Sequence, residues 1–504
     1  GIDIFRVFDS LNAVDNMRVA MDAVRDSGAL CEGTICYTAD LFDTSRPKYN
    51  LAYYVKMAKE LERAGAHILG IKDMAGVCRP RAARELITAL KNEVGLPLHF
   101  HTHDTSGISA ASVLAAVEAG CDAVDGALDA MSGLTSQPNL SSIAAALAGS
   151  ERAPEVNLEA MKSLSFYWEG VRRYYAPFEA EMRAGTADVY THEMPGGQYT
   201  NLREQARAMG LDHRWPEISR AYADVNKLFG DIVKVTPTSK VVGDMALYMV
   251  ANDLTPEMVA DPARDIAFPA SVISLMRGEL GFPPDGFPAA LQKKILRGAA
   301  PLSGRAGALL PPVDLEAERK AAGDALGYVM DDGDLCSHLM YPKVYREYAA
   351  HRSRYGDMSK LPTPVFFYGL KEQQEASIDL EPGKTLVIRL QGRTENPDAG
   401  EDKLFFELNG QPRLIRVPRP GAAAKELAKA AEGNPKQVGA PMPGMVVTVA
   451  VKPGQRVEKG DALLSIEAMK METQLRAEHA GTVKRVLVNS GAVVAARDLL
   501  VEFE

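Results

Sequence analysis

The first 150 residues alternate between short apolar runs and stretches with helical spacing. The apolar runs predict strands over residues 3–9, 31–38, 67–73, 96–104 and 123–130. Helical spacing between them predicts helices, among them those over 50–64 and 79–94. Repeated strand–helix units of this length favour a parallel sheet, either a (β/α) barrel or a doubly wound fold. Five strands are too few to close the eight-stranded barrel.

The middle of the chain, residues 151–300, is predicted to be mostly helical because its apolar residues recur at helical spacing. Residues 195–198, with the sequence Pro-Gly-Gly-Gln, interrupt this pattern and predict a turn. A segment rich in hydroxyl groups at 235–240 predicts a helix start near Ser239. Helical spacing then returns over 314–329 and 341–355.

The last third of the chain is predicted to be β-structure interrupted by a linker. Residues 362–417 alternate between apolar and polar positions and include a hairpin signal at Asn409-Gly410. Residues 418–437 are rich in Ala, Pro, Gly and Lys, which predicts a mobile linker. From 438 to 504, short alternating strands again flank tight turns.

Composition restricts the class of protein. Hydrophobic residues make up 46% and charged residues 24%, an ordinary mixture for a globular chain. The net charge of -9 argues against nucleic acid or an anionic membrane as a partner. No apolar run in the sequence has the length of a membrane span. Five scattered cysteines, and a start of the given sequence that does not resemble a signal peptide, lead us to expect a cytoplasmic location.

Two histidines in the predicted strand 96–104 are candidate metal ligands. Alternate residues of a strand share a face, so His101 and His103 can point to one ion. Two imidazoles suit Zn, Mn, Co or similar ions. A pair of hydrogen-bonded core histidines explains the pattern equally well, and the residues alone leave both interpretations open.

Lys72 lies in an apolar run, residues 67–74, that predicts a core strand. A buried lysine is costly unless it is paired, neutral or modified. A neutral amine can add CO2 to form a carbamate, whose oxygens could ligate a divalent metal. The simpler interpretation is an ion pair with Asp73 or another carboxylate of the barrel, and the residues alone favour it.

The sequence Ala468-Met469-Lys470-Met471 lies between two short predicted strands near the end of the chain. Together with the surrounding turn glycines, it resembles the modification site of a biotinyl (carboxyl-carrier) domain. The resemblance implies that Lys470 is biotinylated. A lipoyl domain has the same fold but usually shows Asp-Lys-Ala at this turn. The alternative is an exposed lysine between two core methionines.

These motifs together resemble the pyruvate carboxylase family, in its C-terminal half. The resemblance covers essentially the whole chain, and it is carried by Phe5-Arg6-Val7-Phe8-Asp9, Ile71-Lys72-Asp73-Met74-Ala75-Gly76, His99 to Asp104, Glu193-Met194-Pro195-Gly196-Gly197-Gln198 and Phe405 to Arg413. It implies a multidomain α/β plus all-β protein: a partial TIM (β/α) barrel with a helical extension, a small α+β tetramerisation region and a C-terminal flattened β-barrel biotinyl domain.

The resemblance also implies domain boundaries. These are the later strands of the carboxyltransferase barrel at 1–150, its helical extension at 151–300, the end of the carboxyltransferase domain and the tetramerisation region at 301–417, a linker at 418–437 and the biotinyl domain at 438–504.

The family's site residues can be placed on matching positions. The resemblance implies that Lys72 is carboxylated and, with His101 and His103, ligates a divalent metal such as Zn or Mn.

For the biotin side of the reaction, the resemblance implies that Thr236 moves a proton between pyruvate and biotin. It also implies that Ser239 and Lys240 seat the biotin ureido group. The reaction implied is carboxyl transfer from carboxybiotin to pyruvate, giving oxaloacetate.

The sequence departs from the family pattern at its start. The first barrel strands, which supply an aspartate metal ligand and an arginine for pyruvate, have no counterpart here, and neither has the biotin carboxylase half that uses ATP and bicarbonate. We therefore expect a fragment or one part of a split enzyme. The implied partners are a biotin carboxylase domain, biotin protein ligase and further copies in a homotetramer.

Two other functions remain open on the sequence. One is the α subunit of oxaloacetate decarboxylase or a related transcarboxylase, which shares the barrel, the metal site and the carrier. The other is a non-catalytic biotin carrier and assembly module.

Overall fold

A computed structural model of the chain describes residues 1–396, 401–418, 427–431, 434–468 and 471–504. The chain forms two compact units. One contains Gly1–Leu309 together with Leu427–Glu504, and the other is Leu310–Glu426.

The N-terminal part of the first unit is built on a five-stranded parallel sheet. Its strands are β1 (Ile4–Val7), β2 (Leu30–Tyr37), β3 (Ile68–Asp73), β4 (Leu98–Thr102) and β5 (Ala123–Val124), which lie side by side in chain order. Its helices are α1 (Val14–Asp26), α2 (Leu51–Arg63), α3 (Pro80–Glu93), α4 (Ser109–Glu118) and α5 (Leu140–Ala146). The predicted strands and the two predicted helices lie within a few residues of these bounds, except that the last strand has two residues rather than eight.

Alternation along β4 explains which side chains face the core. Leu98, Phe100 and Thr102 are fully buried, whereas His99 and His101 between them are partly exposed. Adjacent residues of a strand point to opposite faces, so the two histidines share the face opposite to the apolar layer.

A helical layer follows the sheet and has its own apolar core. Its helices are α6 (Leu158–Arg172), α7 (Val189–His192), α8 (Gly196–Ala208), α9 (Trp215–Leu228), α10 (Thr238–Ala251), α11 (Pro256–Ala260), α12 (Ala270–Arg277), α13 (Ala289–Leu296) and α14 (Ala306–Leu309). The turn predicted at 195–198 is wrong, because Pro195 is the residue before α8 and the two glycines form its first turn. Proline and glycine are both tolerated there, since the first helical N–H groups lack intrahelical partners.

The second unit joins helices to an antiparallel sheet. Its helices are α15 (Leu315–Leu326), α16 (Asp332–Met340), α17 (Pro342–Tyr355) and α18 (Thr363–Tyr368), and its strands are β6 (Glu375–Glu381), β7 (Lys384–Asn396), β8 (Glu401–Leu408) and β9 (Gln411–Pro418). The hairpin predicted at Asn409-Gly410 is confirmed, with φ of 46° and 80° joining β8 to β9. The prediction of β-structure from residue 362 is wrong over α18.

The C-terminal part of the first unit, the predicted carrier domain, consists of two four-stranded antiparallel sheets around one apolar core. Its strands are β10 (Gln437–Gly439), β11 (Gly444–Val449), β12 (Arg456–Val457), β13 (Ala462–Ala468), β14 (Met471–Arg476), β15 (Gly481–Val486), β16 (Val493–Val494) and β17 (Leu499–Phe503). Lys470 and Met469 lie outside the described residues, between β13 and β14.

Part of the predicted linker belongs to the carrier domain. Lys429 forms a bridge with Asp498, and the neighbouring Ala430 N–H donates to the carbonyl of Arg497. The prediction of a mobile linker is therefore wrong for residues 427–431, because their backbone is paired with the carrier. Residues 419–426 lie outside the described part of the chain.

Two further features of the described residues bear on the class of protein. None of the helices in the described ranges is long and apolar enough to cross a membrane. All five cysteines are free thiols, four of them buried and Cys336 exposed.

Candidate active site

Strand register places the candidate metal-binding residues side by side. Lys72 of β3 pairs with His101 of β4, and Asp73 pairs with Thr102. Paired residues of neighbouring strands point to the same face, so Lys72 and His101 share one face of the sheet. His103 follows the last residue of β4 and lies at the carboxyl end of the strands, where parallel α/β proteins build their sites.

The two histidine rings approach each other through the same type of nitrogen. Nε2 of His101 lies 3.3 Å from Nε2 of His103. Nδ1 of His101 donates to Asp125 at 2.7 Å, and Nδ1 of His103 donates to the carbonyl of Thr135 at 2.6 Å. These acceptors fix one proton on Nδ1, so that each ring, in its neutral form, offers the Nε2 lone pair to a metal.

The donor set fits a divalent cation. Two unprotonated Nε2 atoms facing each other repel unless a cation lies between them. Their separation is close to the roughly 3.3 Å expected between two nitrogen ligands of a tetrahedral zinc ion. Burial, together with the nearby His101 and Lys72, lowers the pKa of His103 to about 4, so this ring is neutral at physiological pH. Among the described residues, no group of three or more His, Cys, Asp or Glu is arranged to hold a metal. Lys72 is the third ligand that the family resemblance implies.

Lys72 lacks the ion pair that the simpler interpretation required. Asp73 points to the other face, where its carboxylate accepts from three backbone N–H groups and from the hydroxyl of Thr102. No carboxylate in the described ranges lies within ion-pair distance of Lys72, whose ammonium instead lies 5.3 Å from the centre of the Phe8 ring. Burial lowers the pKa of Lys72, which increases the neutral amine that carbamate formation requires.

A partly buried charged network, which the sequence did not predict, contacts His101 through Asp125. His99 bridges Glu32 at 2.9 Å and Asp125 at 2.7 Å, and Arg6 contacts the same two carboxylates at 2.6 and 3.0 Å. Burial opposes a charge on His99, but the hydrogen bonds to Asp125 and Glu32 outweigh it and raise its pKa to about 9. The sequence contained one indication of this network: the charged residues Arg6 and Glu32 interrupt apolar strands, as Lys72 does.

The segment with Thr236 lies at the carboxyl end of the sheet, as His103 does. The hydroxyl of Thr238 donates to the carbonyl of Val233 at 2.8 Å and approaches that of Ser10, which follows β1. The ammonium of Lys234 contacts the hydroxyl of Thr38, which follows β2. Thr236 itself is exposed.

The first turn of α10 presents the two residues predicted to seat biotin. The helix begins at Thr238, one residue before the predicted start. Ser239 is fully buried, and its hydroxyl has no hydrogen-bond partner in the described part of the chain. Lys240 donates to Asp244 at 2.7 Å, and Ser271 donates to the same carboxylate oxygen. The hydroxyl of Ser239 is therefore unpaired but enclosed, and another polar group can reach it only if neighbouring residues move.

The carrier domain approaches this helix. A cavity of about 220 Å³ is lined by Lys240, Asp244 and neighbouring residues of α10 and α12, and by Met442, Glu472 and Thr473 of the carrier. Glu472 and Thr473 belong to β14, whose first residue follows Lys470 in the sequence. The start of β14 therefore faces the helix that bears Lys240.

Comparison with known proteins identifies families over most of the chain. An HMGL-like domain matches residues 9–166, a conserved carboxylase domain matches 189–389, and a biotin-requiring enzyme domain matches 436–503. The last match supports biotin as a covalently attached cofactor. Together the matches confirm the predicted fold class, a multidomain α/β plus all-β protein with a TIM-barrel part and a biotinyl domain.

Curated relatives match the whole chain but extend well beyond it. Pyruvate carboxylase of Bacillus subtilis is 49% identical over 507 residues, which cover 100% of this chain and 44% of the relative. The human mitochondrial pyruvate carboxylase is 43% identical over 510 residues, which cover 100% of this chain and 43% of the relative. The chain thus spans less than half the length of these relatives.

Solved structures agree with these relatives. The complete pyruvate carboxylase of Rhizobium etli is 54% identical, with a TM-score of 0.79 and coverage of 100% of this chain and 46% of that one. The carboxyl transferase domain of the same enzyme is 56% identical, with a TM-score of 0.79 and coverage of 83% of this chain and 70% of that one. The chain belongs to the pyruvate carboxylase family and corresponds to its C-terminal region.

Proposed function

We propose that the chain transfers a carboxyl group from biotin, attached to Lys470, to pyruvate and so forms oxaloacetate. The observation that carries this proposal is the position of the carrier: Glu472 and Thr473 of β14, which follow Lys470 closely in the sequence, line one cavity with Lys240 of α10. In this proposal, a biotin carboxylase domain uses ATP and bicarbonate to load the biotin, and biotin protein ligase attaches it. Relatives named pyruvate carboxylase support the assignment.

Three residues would hold a divalent metal such as Zn or Mn. These are His101 and His103 through Nε2, and Lys72 through a carbamate on its amine. When bound, the metal polarises the pyruvate carbonyl and makes the methyl protons more acidic. Asp125 and the carbonyl of Thr135 keep both rings in the tautomer that binds metal.

The residues around the start of α10 would handle the proton and the biotin ring. The exposed hydroxyl of Thr236 takes the proton leaving the pyruvate methyl group and passes one to the biotin ring nitrogen that loses its carboxyl group. Lys240 donates a hydrogen bond to the ureido oxygen, and Ser239 donates another once neighbouring residues move and expose its hydroxyl. The carboxyl carbon forms its new bond to the pyruvate methyl carbon, so the proton and the carboxyl group exchange places.

The intact mass of the chain after treatment with a biotin ligase tests the carrier assignment. We expect a mass gain of one biotin in the wild type and none in Lys470→Ala. Lys459→Ala, which removes another lysine beside a turn glycine of the carrier, serves as the matched control and keeps the gain. If Lys470→Ala still gains one biotin, the assignment to Lys470 is wrong.

Metal content separates the enzyme from the non-catalytic carrier module. We expect the chain to bind a divalent ion that is lost in His101→Ala and His103→Ala and kept in His213→Ala, an exposed control. The methyl protons of pyruvate should exchange with deuterated water in the variants that keep the metal and not in those that lose it. Biotinylation without metal binding or proton exchange would favour the carrier module. Sodium dependence would favour the decarboxylase subunit.

We also propose that the chain works as a homotetramer in the cytoplasm. Large apolar residues exposed on the unit Leu310–Glu426 support self-association. Light scattering of the purified chain measures its mass directly, and imaging of a tagged chain tests its location.

A further inference from the structure

Glu193 stands at the centre of a buried ion network that no step above uses. Its Oε1 lies 2.6 Å from Arg46, and its Oε2 lies 2.9 Å from the ammonium of Lys234. Arg46 also contacts Asp231 at 2.6 Å. Lys234 is 2% exposed and Glu193 10% exposed, so these charges depend on one another rather than on water.

The network continues, through Lys234, into the segment that carries Thr236. Lys234 precedes Thr236 by two residues, and its ammonium also lies 3.3 Å from the hydroxyl of Thr38. Asp231, at the start of the same segment, accepts from the amide of Asn226 at 2.9 Å. The position of the exposed Thr236 is thus fixed by buried contacts on its N-terminal side.

The residues that follow Glu193 in the chain contact His103, one of the two proposed metal ligands. Gly196 begins α8 three residues later, and its N–H donates to the carbonyl of Met74 at 2.9 Å, just after β3. A Cβ atom on Gly196 would lie 2.9 Å from Nδ1 of His103, so the backbone there packs directly on the imidazole. The stretch from Glu193 to Gly196 therefore spans the distance between His103 and Lys234.

Glu193 is well suited to hold this connection. Its backbone is left-handed, with φ of 54°, and ends α7. Burial disfavours the carboxylate, but Lys234 and Arg46 outweigh burial and lower the pKa of Glu193 to about 2. Among the described residues, Glu193 is the carboxylate that pairs with Lys234. Loss of its charge leaves a buried ammonium without a counter-ion.

We propose that Glu193 is a positioning residue, whose contact with Lys234 fixes the segment of Thr236 relative to His103. The catalytic consequence rests on the proposed function, in which Thr236 moves a proton beside the pyruvate site. A displacement of about 1 Å between two reacting groups lowers a rate by roughly 100-fold. The position of Thr236 matters for the rate because a hydroxyl transfers a proton only when it lies within hydrogen-bond distance of the donor and the acceptor.

Hydrogen exchange in the full chain tests the connection without any need for catalysis. The variants are Glu193→Gln and the double variant Glu193→Gln with Lys234→Met, which removes the unpaired ammonium and so guards against misfolding. Glu204→Gln is the matched control, because Glu204 also pairs with an arginine, Arg207, but on the exposed face of α8. Exchange of backbone amides is followed by mass spectrometry of peptides across the chain.

We expect amides of residues 231–240 to exchange roughly tenfold faster in the double variant than in the wild type, with β2, β3 and α2 unchanged. Glu204→Gln should behave as the wild type. Unchanged exchange at 231–240 in the double variant would overturn the proposal. An equal increase throughout the sheet would also overturn it, because that result shows a general loss of stability rather than a local connection.

Kinetics of the biotinylated, metal-loaded chain then separate positioning from simple stability. We expect kcat for carboxyl transfer to fall roughly 10-fold to 100-fold in the double variant, with KM for pyruvate and metal content unchanged. A fall in metal content or a rise in KM without loss of kcat would contradict the role. If the wild-type chain transfers no carboxyl group, the proposed function fails there, while the exchange result still decides the role of Glu193.

Discussion

Asp125 is the residue on which the orientation of His101 depends. Its carboxylate accepts from Nδ1 of His101 at 2.7 Å, and the same side chain bridges His99 and Arg6. In Asp125→Asn, the amide can present N–H to Nδ1 and so move the ring proton to Nε2, the atom assigned to the metal. We expect affinity for zinc to fall roughly 10-fold to 100-fold, as measured by competition with a chelator.

Asp122→Asn is the control for this prediction. Asp122 lies just before β5 and contacts Lys91 and the N–H of Leu98 rather than a histidine. Its substitution should leave zinc affinity unchanged. Equal affinity in Asp125→Asn and the wild type would show that Asp125 does not set the tautomer of His101.

Two adjacent glycines give a sharper test of the packing around His103. A Cβ atom on Gly196 would lie 2.7 Å from the carbonyl of Thr135 and 2.9 Å from Nδ1 of His103, whereas one on Gly197 would meet nothing within 4 Å. Gly196→Ala must therefore shift the imidazole or the start of α8. We expect reduced zinc affinity in Gly196→Ala and thermal stability equal to or above the wild type in Gly197→Ala, since alanine favours helix by about 0.5–1 kcal/mol. Similar zinc affinity in the two variants would contradict this account.

The sequence revealed only part of the site, for a physical reason. Lys72 and the histidines were recognisable because polar residues interrupted an apolar strand pattern. Asp125 and Glu32 act through contacts with His99 that join residues 26 and 67 positions apart. Such contacts depend on which strands become neighbours, and hydrophobic periodicity along one strand carries no information about that.

Among the elements, strands and helices with strong periodicity were predicted best. The pattern of α2 and β4 follows directly from burial of one face, whereas β3 is a continuous apolar run with both faces largely buried. The start of α8 was mistaken for a turn because Pro-Gly-Gly breaks a helix in its interior but is tolerated in its first turn. Likewise, α18 is too short for helical spacing to stand out from the β-rich segment that follows it.

The ion pair of Glu193 with Lys234, which joins the end of α7 to the segment before α10, should make the free energy of unfolding depend on pH in acid. The pKa of Glu193 is about 2, below its ordinary value near 4.5, so the stability from its charge is present above pH 4.5 and is lost as pH falls through 2. The loss can reach roughly 3 kcal/mol. The double variant Glu193→Gln with Lys234→Met lacks this titration. We expect its free energy of unfolding to match the wild type near pH 7 and to decline less between pH 5 and pH 2.

Urea denaturation at each pH measures this difference. Glu204→Gln, which removes an exposed ion pair, is again the control and should follow the wild-type curve. Parallel curves for the wild type and the double variant would mean that the Glu193 charge adds no stability.

At the scale of the whole molecule, the two compact units differ in how fully they bury their apolar residues. The unit with the sheet and the carrier contains three large apolar cores. The helices of Leu310–Glu426 share a core of four buried residues, Ala322, Met330, Tyr345 and Ala349. The fold class was predictable because hydrophobic periodicity indicates individual helices and strands. The surface through which copies associate was not, because it depends on which apolar residues remain exposed after folding.

Those exposed residues predict where the chain associates with itself. Val329 is 94% exposed and Val344 62% exposed, and stable interfaces between subunits bury such apolar groups. A charged side chain at the centre of an interface is costly unless it is paired. We therefore expect the double variant Val329→Asp with Val344→Asp to dissociate. Light scattering should then give a smaller particle mass than for the wild type, and circular dichroism should be unchanged.

Val19→Asp provides the matched control. Val19 is 58% exposed on α1, in the other unit, so the same change of charge there should leave the oligomer intact. Dissociation in Val19→Asp alone would place the interface on the sheet unit. An unchanged mass in both variants would exclude the apolar surface around Val329 and Val344 as the main contact. Dissociation only in the Val329 and Val344 variant would assign assembly to Leu310–Glu426 and leave the carboxyl end of the sheet free to receive the carrier.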